Sequence, residues 1–351
     1  MAKKGKIRLA IVRCDTHAYW YGAFMDEVDT LVLATPSDQA PTRPAVHDYF
    51  KVIGDYKHLK IARVPGFVIS KVYDNIPEQG LDEQGIPKLQ YGTYPGRALA
   101  FSETFLRHPK VCDTMEELVD GVDAAYIADS SSPKDGADHL ELARPFLEKG
   151  IPTFVDKPFS ATLAEAQKMV SLAKKNKTAV MSASILAHTE EGKFFRRRFD
   201  EINGCGYLVV KGVGPANAAV IHGLALAQGL VGYGVERVEC MGSHELECIL
   251  LYYPEGLEAV VLSAPNRVFT RLCEFYASAY SNRGVVHSPP IGDHEFPSGT
   301  RNIVCLFKQM IETGKPSIPY EHMLEPIAII EAARIAQREG RRVTLSELWK
   351  R

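Results

Sequence analysis

The sequence predicts an α/β fold: a Rossmann-type, doubly wound parallel sheet followed by an α+β domain with a mixed, largely antiparallel sheet. The first half of the 351 residues alternates apolar strand-like segments with amphipathic helix-like ones, as parallel strands joined by helices do. The second half contains several strand-like segments separated only by turns, which favours antiparallel pairing. We therefore predict two domains, 1–185 and 186–351, the first a dinucleotide-binding type and the second a substrate and oligomerisation domain.

The first domain begins with the apolar strand Ile7–Val12. A second buried strand, 66–74, ends at Asp74, and the long stretch 19–65 between them is an insertion by the standards of this fold. Because the insertion grows from the turn after the first strand, we expect it to cover the ligand crevice. The remaining elements alternate regularly, with strands at 123–129, 151–158 and 178–184 and helices at 113–121, 137–150 and 161–176.

Two of these helices carry capping boxes, Thr114-x-x-Glu117 and Thr162-x-x-Glu165. After residue 206 the pattern changes to longer strands without predicted helices between them. The predicted strands are 207–213, 235–242, 246–253, 257–264 and 273–280, followed by helices at 302–314 and 322–340.

Composition favours a small-molecule partner. The chain has 41 basic and 43 acidic residues and a net charge of −2, so we expect no long-range attraction to nucleic acid or anionic lipid. The basic residues 1–4 lead into a short strand and not into an apolar signal core, and no apolar run approaches the length of a membrane helix. The seven cysteines are scattered without C-x-x-C, so we expect a cytoplasmic protein. We expect no metal, because the candidate ligands His17, His244, His287, Asp293 and His294 lack metal-ligand spacing.

The turn after the first strand lacks the glycines of a dinucleotide fingerprint. G-x-G-x-x-G would place them at 13, 15 and 18, where this chain has Arg13, Asp15 and Ala18. Arg13 can supply charge to a phosphate, but Asp15 repels it, and both carry a Cβ where the backbone should be bare. Two alternatives follow: an altered dinucleotide site, or a fold that has lost the dinucleotide.

Segments 121–181 and 306–345 resemble the Gfo/Idh/MocA oxidoreductases, the family of glucose-fructose oxidoreductase and inositol dehydrogenase. The most specific match is Asp156-Lys157-Pro158, where the family usually has Glu-Lys-Pro. The resemblance implies a Rossmann domain that carries NAD or NADP, and a mixed-sheet domain that shapes a sugar site and often an oligomer interface. It implies hydride transfer at a secondary alcohol of a sugar, polyol or glycoside by a homo-oligomer.

The resemblance also implies two catalytic residues. Lys157 matches the lysine that lies by nicotinamide and substrate, and His222 matches the acid/base histidine, although Ala218 stands where the family often has Asp. The position of Lys157 after a strand's carboxyl end agrees with this, since open α/β sheets place their ligands there. The alternatives are a solvent-facing lysine and a buried neutral imidazole.

For the cofactor, Arg13, Thr16 or a helix amino terminus would hold the pyrophosphate. Asp74 at its strand end would bond ribose, unless it only caps a loop. Ser130 and Ser131 would bond ribose or phosphate, unless they form an ordinary turn. The leading hypothesis is an NAD(P)-dependent oxidoreductase, and the rival is a non-redox sugar-acting enzyme or sugar-sensing protein on the same fold.

Overall fold

A computed structural model describes residues 5–40, 43–52, 55–59, 62–74, 96–128, 138–212, 216–263 and 275–349. The chain divides into two compact units. The first contains Met1–Ser182 and Val304–Ile318, and the second contains Ala183–Ile303 and Pro319–Arg351. Ser130 and Ser131 lie outside the described residues.

The first unit is built on a parallel sheet. Its described strands are β1 (Ile7–Val12), β2 (Lys51–Val52), β3 (Asp55–Leu59), β4 (Phe67–Tyr73), β5 (Lys110–Val111), β6 (Ala124–Ile127), β7 (Thr153–Val155) and β8 (Val180–Met181). β2 pairs with β3, and the other six form one sheet in the order β5-β4-β1-β6-β7-β8 with parallel neighbours. The predicted Rossmann-type architecture is confirmed, and β1 and β4 to β8 all end at the same edge.

Several helices of this unit begin at a residue whose side chain caps them. The unit's described helices are α1 (Thr16–Met25), α2 (Thr30–Ala34), α3 (Arg43–Phe50), α4 (Arg97–Thr104), α5 (Met115–Val119), α6 (His139–Glu148) and α7 (Leu163–Lys175). The side chains of Thr114 and Thr162 accept the amide hydrogens of Glu117 and Glu165, so both predicted caps are present. After α6, Gly150 has a φ of +74°, a conformation that glycine adopts without strain.

The predicted insertion, 19–65, overlaps α1, which is the ordinary helix after the first strand. The extra chain of the described residues follows α1. Phe50 of α3 stacks on Trp20 with ring centroids 4.8 Å apart, and the Arg43 side chain donates to Thr104 Oγ1 of α4. The described part of the insertion thus packs on α1 and α4, and its contribution to a ligand site stays a prediction.

The second unit contains a mixed sheet. Its strands in the described residues are β9 (Tyr207–Lys211), β10 (Arg237–Met241), β11 (Cys248–Tyr252), β12 (Glu258–Leu262), β13 (Tyr276–Ser281), β14 (Gly284–His287) and β15 (Val343–Thr344), in the order β14-β13-β9-β12-β11-β10-β15. β9 and β12 are parallel and the other pairs are antiparallel, which confirms the predicted mixed, largely antiparallel sheet.

The remaining described helices are α8 (Glu190–Arg197), α9 (Ala216–Val231), α10 (Phe296–Thr313), α11 (Tyr320–Glu339) and α12 (Ser346–Trp349). α9 lies between β9 and β10, where we predicted consecutive strands without a helix, so that prediction is wrong. A Cβ on Gly223 of α9 would lie 2.7 Å from Val261 of β12, so this helix sits directly on the sheet. Its small apolar residues leave little polar face, and the periodicity of a surface helix is therefore weak.

No helix in the part of the chain that the structure describes is long and apolar enough to cross a membrane.

Candidate functional site

Asp156 and Lys157 lie at the carboxyl end of β7, at the edge where parallel sheets place their ligands. The side chain of Asp156 is fully buried, and its Oδ1 accepts the amide hydrogen of Lys157 at 2.8 Å. Its Oδ2 lies 2.5 Å from Nδ1 of His17, the second residue of α1. A buried carboxylate thus joins the end of β7 to the first turn of α1.

The Asp156 carboxyl is held in its charged form. Burial by itself raises its pKa, but the charge and hydrogen bond of His17, followed by those of Lys157, lower it by more. The net effect leaves the pKa of Asp156 below its ordinary value. The site therefore contains a carboxylate at neutral pH.

The ammonium group of Lys157 is not paired with any described residue. The residue Lys157 is 8% exposed, and its side chain makes no hydrogen bond or ion pair with any residue that the structure describes. Lysine residues with so little exposed surface usually have a partner for the ammonium. An anionic or oxygen-rich ligand at the strand ends would supply such a partner.

The turn that would cradle a dinucleotide is held by an ion pair of the protein itself. Arg13 has a φ of +70°, the left-handed conformation that glycine adopts without strain. Its guanidinium is 4% exposed and donates from Nη2 to Asp138 Oδ2 at 2.5 Å. The buried Nε of Arg13 has no hydrogen-bond partner among the described residues. The tight turn survives without glycine, and the arginine predicted for phosphate points to Asp138.

The amino terminus of α1 is already capped by a side chain of the protein. Oδ1 of Asp15 accepts the amide hydrogens of His17 at 2.9 Å and Ala18 at 3.3 Å, which makes Asp15 the N-cap of the helix. In dinucleotide-binding folds the pyrophosphate lies on this helix end. Here a buried carboxylate occupies it, and Thr16, a predicted phosphate contact, is the half-buried first residue of the helix.

Asp74, the predicted ribose contact, forms a buried ion pair with Arg97 at the start of α4. Nε of Arg97 lies 2.5 Å from Oδ2 of Asp74, and Nη2 lies 2.7 Å from Oδ1. The side chain of Asp74 is 2% exposed and that of Arg97 is 4% exposed. Burial lowers the pKa of Arg97, but the hydrogen bond and charge of Asp74 raise it above its ordinary value. Asp74 therefore satisfies a buried cation.

His222 lies on α9 in the second unit. Its Nδ1 is 2.8 Å from Ser184 Oγ, and its ring meets Phe275 edge-on with centroids 5.9 Å apart. The half-buried imidazole is thus oriented by a hydroxyl. The side chain of Ala218 lies outside the described residues.

His188 lies in the same unit and was not predicted. Burial and then the charge of Lys193 lower its pKa to about 4, so its ring is neutral at physiological pH.

The structure brings together Asp156, Lys157 and His17, of which we predicted Lys157 as catalytic. Sequence reasoning missed His17, Arg97 and Asp138, since each depends on a partner far along the chain. No group of three or more His, Cys, Asp or Glu residues among those described has an arrangement that would hold a metal ion.

Residues 90–184 match the model of an oxidoreductase family with an NAD-binding Rossmann fold, GFO_IDH_MocA. The predicted resemblance to the Gfo/Idh/MocA family is confirmed. The match covers β6 to β8 and includes Asp156 and Lys157. No curated protein sequence matches the chain.

Solved structures with the same fold include several dehydrogenases. A putative myo-inositol dehydrogenase from Sinorhizobium meliloti is 13% identical with a TM-score of 0.67, covering 97% of this chain and 99% of that one. An apo scyllo-inositol dehydrogenase from Lactobacillus casei is 12% identical with a TM-score of 0.67, covering 98% and 99%. An Agrobacterium radiobacter oxidoreductase in complex with NAD⁺, L-tartaric acid and magnesium is 14% identical with a TM-score of 0.66, covering 98% and 99%. At these identities the likeness shows the fold.

Proposed function

We propose that this chain is an NAD(P)-dependent oxidoreductase that interconverts a secondary alcohol and a ketone on a sugar or polyol. The observation that carries the proposal is Lys157, a residue that is 8% exposed and whose ammonium makes no hydrogen bond to the described residues, at the ligand edge of a Rossmann-type sheet. The dinucleotide named with the Agrobacterium structure and the inositol dehydrogenases among the similar folds support NAD and a polyol, respectively. The oxidoreductase family model that includes Lys157 supports the reaction class.

The residues present fit one end of a dinucleotide better than the other. At α1 they do not fit a pyrophosphate in the usual position, because Asp15 already caps the helix there and Arg13 is paired with Asp138. Lys157 fits the nicotinamide and substrate end, where an oxygen-rich ligand would pair its ammonium. We therefore propose that the pyrophosphate is held away from the amino terminus of α1. When bound, the nicotinamide would supply the hydride acceptor or donor.

The protein's own side chains would position the substrate and move its proton. Lys157 would donate a hydrogen bond to the reacting oxygen and stabilise negative charge that develops on it. His222, oriented by Ser184, would exchange the hydroxyl proton. These two roles follow the family resemblance and are proposals for this chain.

The experiment is a screen of myo-inositol, scyllo-inositol and common aldoses with NAD⁺ and NADP⁺, monitored by reduced-nicotinamide absorbance. Lys157→Met and His222→Gln should each lose ~10²–10⁴-fold of turnover, because removal of a proton-transfer or oxyanion-stabilising group has that effect. Lys149→Met, at an exposed lysine of the same unit, is the matched control and should retain activity. Near wild-type rates in both site variants would refute the proposed roles.

The second candidate is a non-redox sugar-acting enzyme or sugar-sensing protein. The Asp15 cap and the Asp74–Arg97 pair favour it, because both commit polar groups that a dinucleotide would otherwise use. Denaturing the purified protein and measuring released dinucleotide by absorbance and mass distinguishes the two candidates, with an NADH titration to follow if none is released.

We also propose a homo-oligomer. The strands of the second unit's sheet expose large apolar side chains, including Met241, Leu262, Tyr276, Tyr280 and Val285. Side chains alternate between the faces of a strand, so Leu262 points away from the face on which Val261 meets α9. A second copy would cover such a surface, and light scattering coupled to size exclusion should then give a multiple of the 38.9 kDa chain. A monomer at micromolar concentration would refute this proposal.

A further inference from the structure

The first turn of α1 contains a histidine that the proposed dehydrogenase mechanism does not use. His17 lies between Asp15 and Ala18, two of the residues that replace the glycine fingerprint, and its ring lies at the strand ends through its contact with Asp156. The side chain is 24% exposed, whereas Asp156 is fully buried. About a quarter of the His17 side chain is therefore exposed, while its carboxylate partner is shielded from water.

The contact fixes which ring nitrogen of His17 carries a proton. The Asp156 carboxylate can only accept hydrogen bonds, so Nδ1 of His17 must be the donor across the 2.5 Å separation. In the neutral ring Nε2 is then unprotonated and has a lone pair. The other carboxylate oxygen accepts the Lys157 amide at 2.8 Å, which holds the carboxylate in place. Asp156 thus orients His17 as a base, as carboxylates do for the imidazoles of hydrolytic triads.

A cation accompanies this base. Lys157 is the neighbour of Asp156 in the chain, its charge acts on the Asp156 carboxyl, and its ammonium has no hydrogen-bond partner among the described residues. A base together with a nearby cation can remove a proton from the carbon next to a carbonyl group. The base takes the proton, and the cation stabilises the oxygen that becomes negative.

We propose that His17, Asp156 and Lys157 form an acid–base centre that enolises a polyhydroxy ketone. Nε2 of His17 takes a proton from the carbon beside the carbonyl. The C–H electron pair becomes the C=C bond, and the carbonyl π electrons move to oxygen, where the Lys157 ammonium stabilises the charge. Return of a proton from the imidazolium to carbon completes the cycle, and no oxidant or reductant is consumed.

This inference rests on the proposed function for its substrate class, because a polyol dehydrogenase produces or consumes such a ketone. It does not depend on the dinucleotide. The first turn of α1 would then transfer protons where the turn of a dinucleotide-binding fold binds phosphate. This role explains why a histidine lies here, next to a helix terminus that Asp15 already caps.

The test is hydrogen–deuterium exchange at carbon, followed by proton NMR. Inosose, fructose and dihydroxyacetone are incubated separately in D₂O with the full chain, with no nicotinamide added. The wild-type protein should accelerate loss of the proton beside the carbonyl of at least one ketone. His17→Gln and Lys157→Met should each reduce this rate ~10²–10⁴-fold, as removal of a proton-transfer or oxyanion-stabilising group does. His108→Gln, at an exposed histidine of the same unit, should leave the rate unchanged.

A second measurement covers the case in which a site variant fails to fold. In protein labelled with ¹⁵N-histidine, His17 should show the tautomer with the proton on Nδ1, and Asp156→Asn should remove that preference. Absence of exchange for all three ketones with the wild-type protein, or a His17 tautomer protonated on Nε2, would overturn the proposal. Carbon exchange without any NAD(P)-linked turnover would support the acid–base centre and refute the proposed dehydrogenase function. NAD(P)-linked turnover without carbon exchange would support the dehydrogenase function and refute the acid–base centre.

Discussion

Asp74 provides a test of whether a predicted cofactor residue is instead structural. The Asp74→Asn substitution removes the carboxylate charge and leaves the Arg97 guanidinium, of which 4% is exposed, with a neutral partner. Leaving one member of a buried ion pair uncompensated costs ~3–5 kcal/mol. The amide can still accept one hydrogen bond from Arg97, so we expect a loss near the lower end, about 3 kcal/mol.

The assay is urea unfolding at neutral pH, with the free energy of unfolding extrapolated to water. Glu148→Gln is the matched control, because the Arg144–Glu148 pair in the same unit is 3.8 Å long with side chains 50% and 54% exposed. Exposed pairs of this kind contribute less than ~1 kcal/mol. A double variant, Asp74→Leu with Arg97→Met, should recover part of the loss because no charge is left buried.

The same Asp74→Asn protein should bind NADH with an affinity within about twofold of wild type, because the carboxylate already satisfies Arg97. A loss of stability no larger than that of Glu148→Gln would refute the structural role. A loss of NADH affinity greater than about tenfold without loss of stability would restore Asp74 as the ribose contact.

Two further predictions follow from the helix caps and from a histidine with a lowered pKa. Asp15→Gly should tighten NADH binding, because it opens the amides of α1 to the usual pyrophosphate position and removes a charge that repels phosphate. Asp29→Gly, which removes the equivalent cap of α2, should not change the affinity in a fluorescence titration. Equal affinities in both variants would count against the claim that the Asp15 cap keeps the pyrophosphate away from α1. His188 has a folded pKa of about 4 against an unfolded value of about 6.5, so the unfolded chain binds the proton first and stability falls as the pH drops from about 6.5 to 4. His188→Gln should flatten that part of the stability curve, by up to about 3 kcal/mol at pH 4, and an unchanged slope in chemical unfolding between these pH values would show that burial of this ring is not the cause.

Local patterns were sufficient to predict the fold class. Alternating apolar and amphipathic segments mark the parallel sheet, and the Thr162 cap lies where the sequence places it. α9 was missed because it lies on the sheet and carries small apolar residues, which leave no polar face to set a helical period.

The candidate site was harder to predict, because its partners are distant in the chain. Lys157 was identified through its motif, but the His17–Asp156 contact joins residues 139 positions apart. Asp15 was expected to repel phosphate, and the structure makes it the N-cap of α1 as well. A sequence shows that a charge is present, whereas its partner follows only from the tertiary fold.

The central claim is that this fold still binds a dinucleotide although its first turn is closed to the usual pyrophosphate position. The most direct measurement is a fluorescence titration of the purified wild-type protein with NADH and, separately, NADPH. The account predicts saturable binding of at least one of them, and a weaker affinity in Lys157→Met than in the Lys149→Met control. Absence of binding by both at millimolar concentration would contradict it and favour the non-redox alternative.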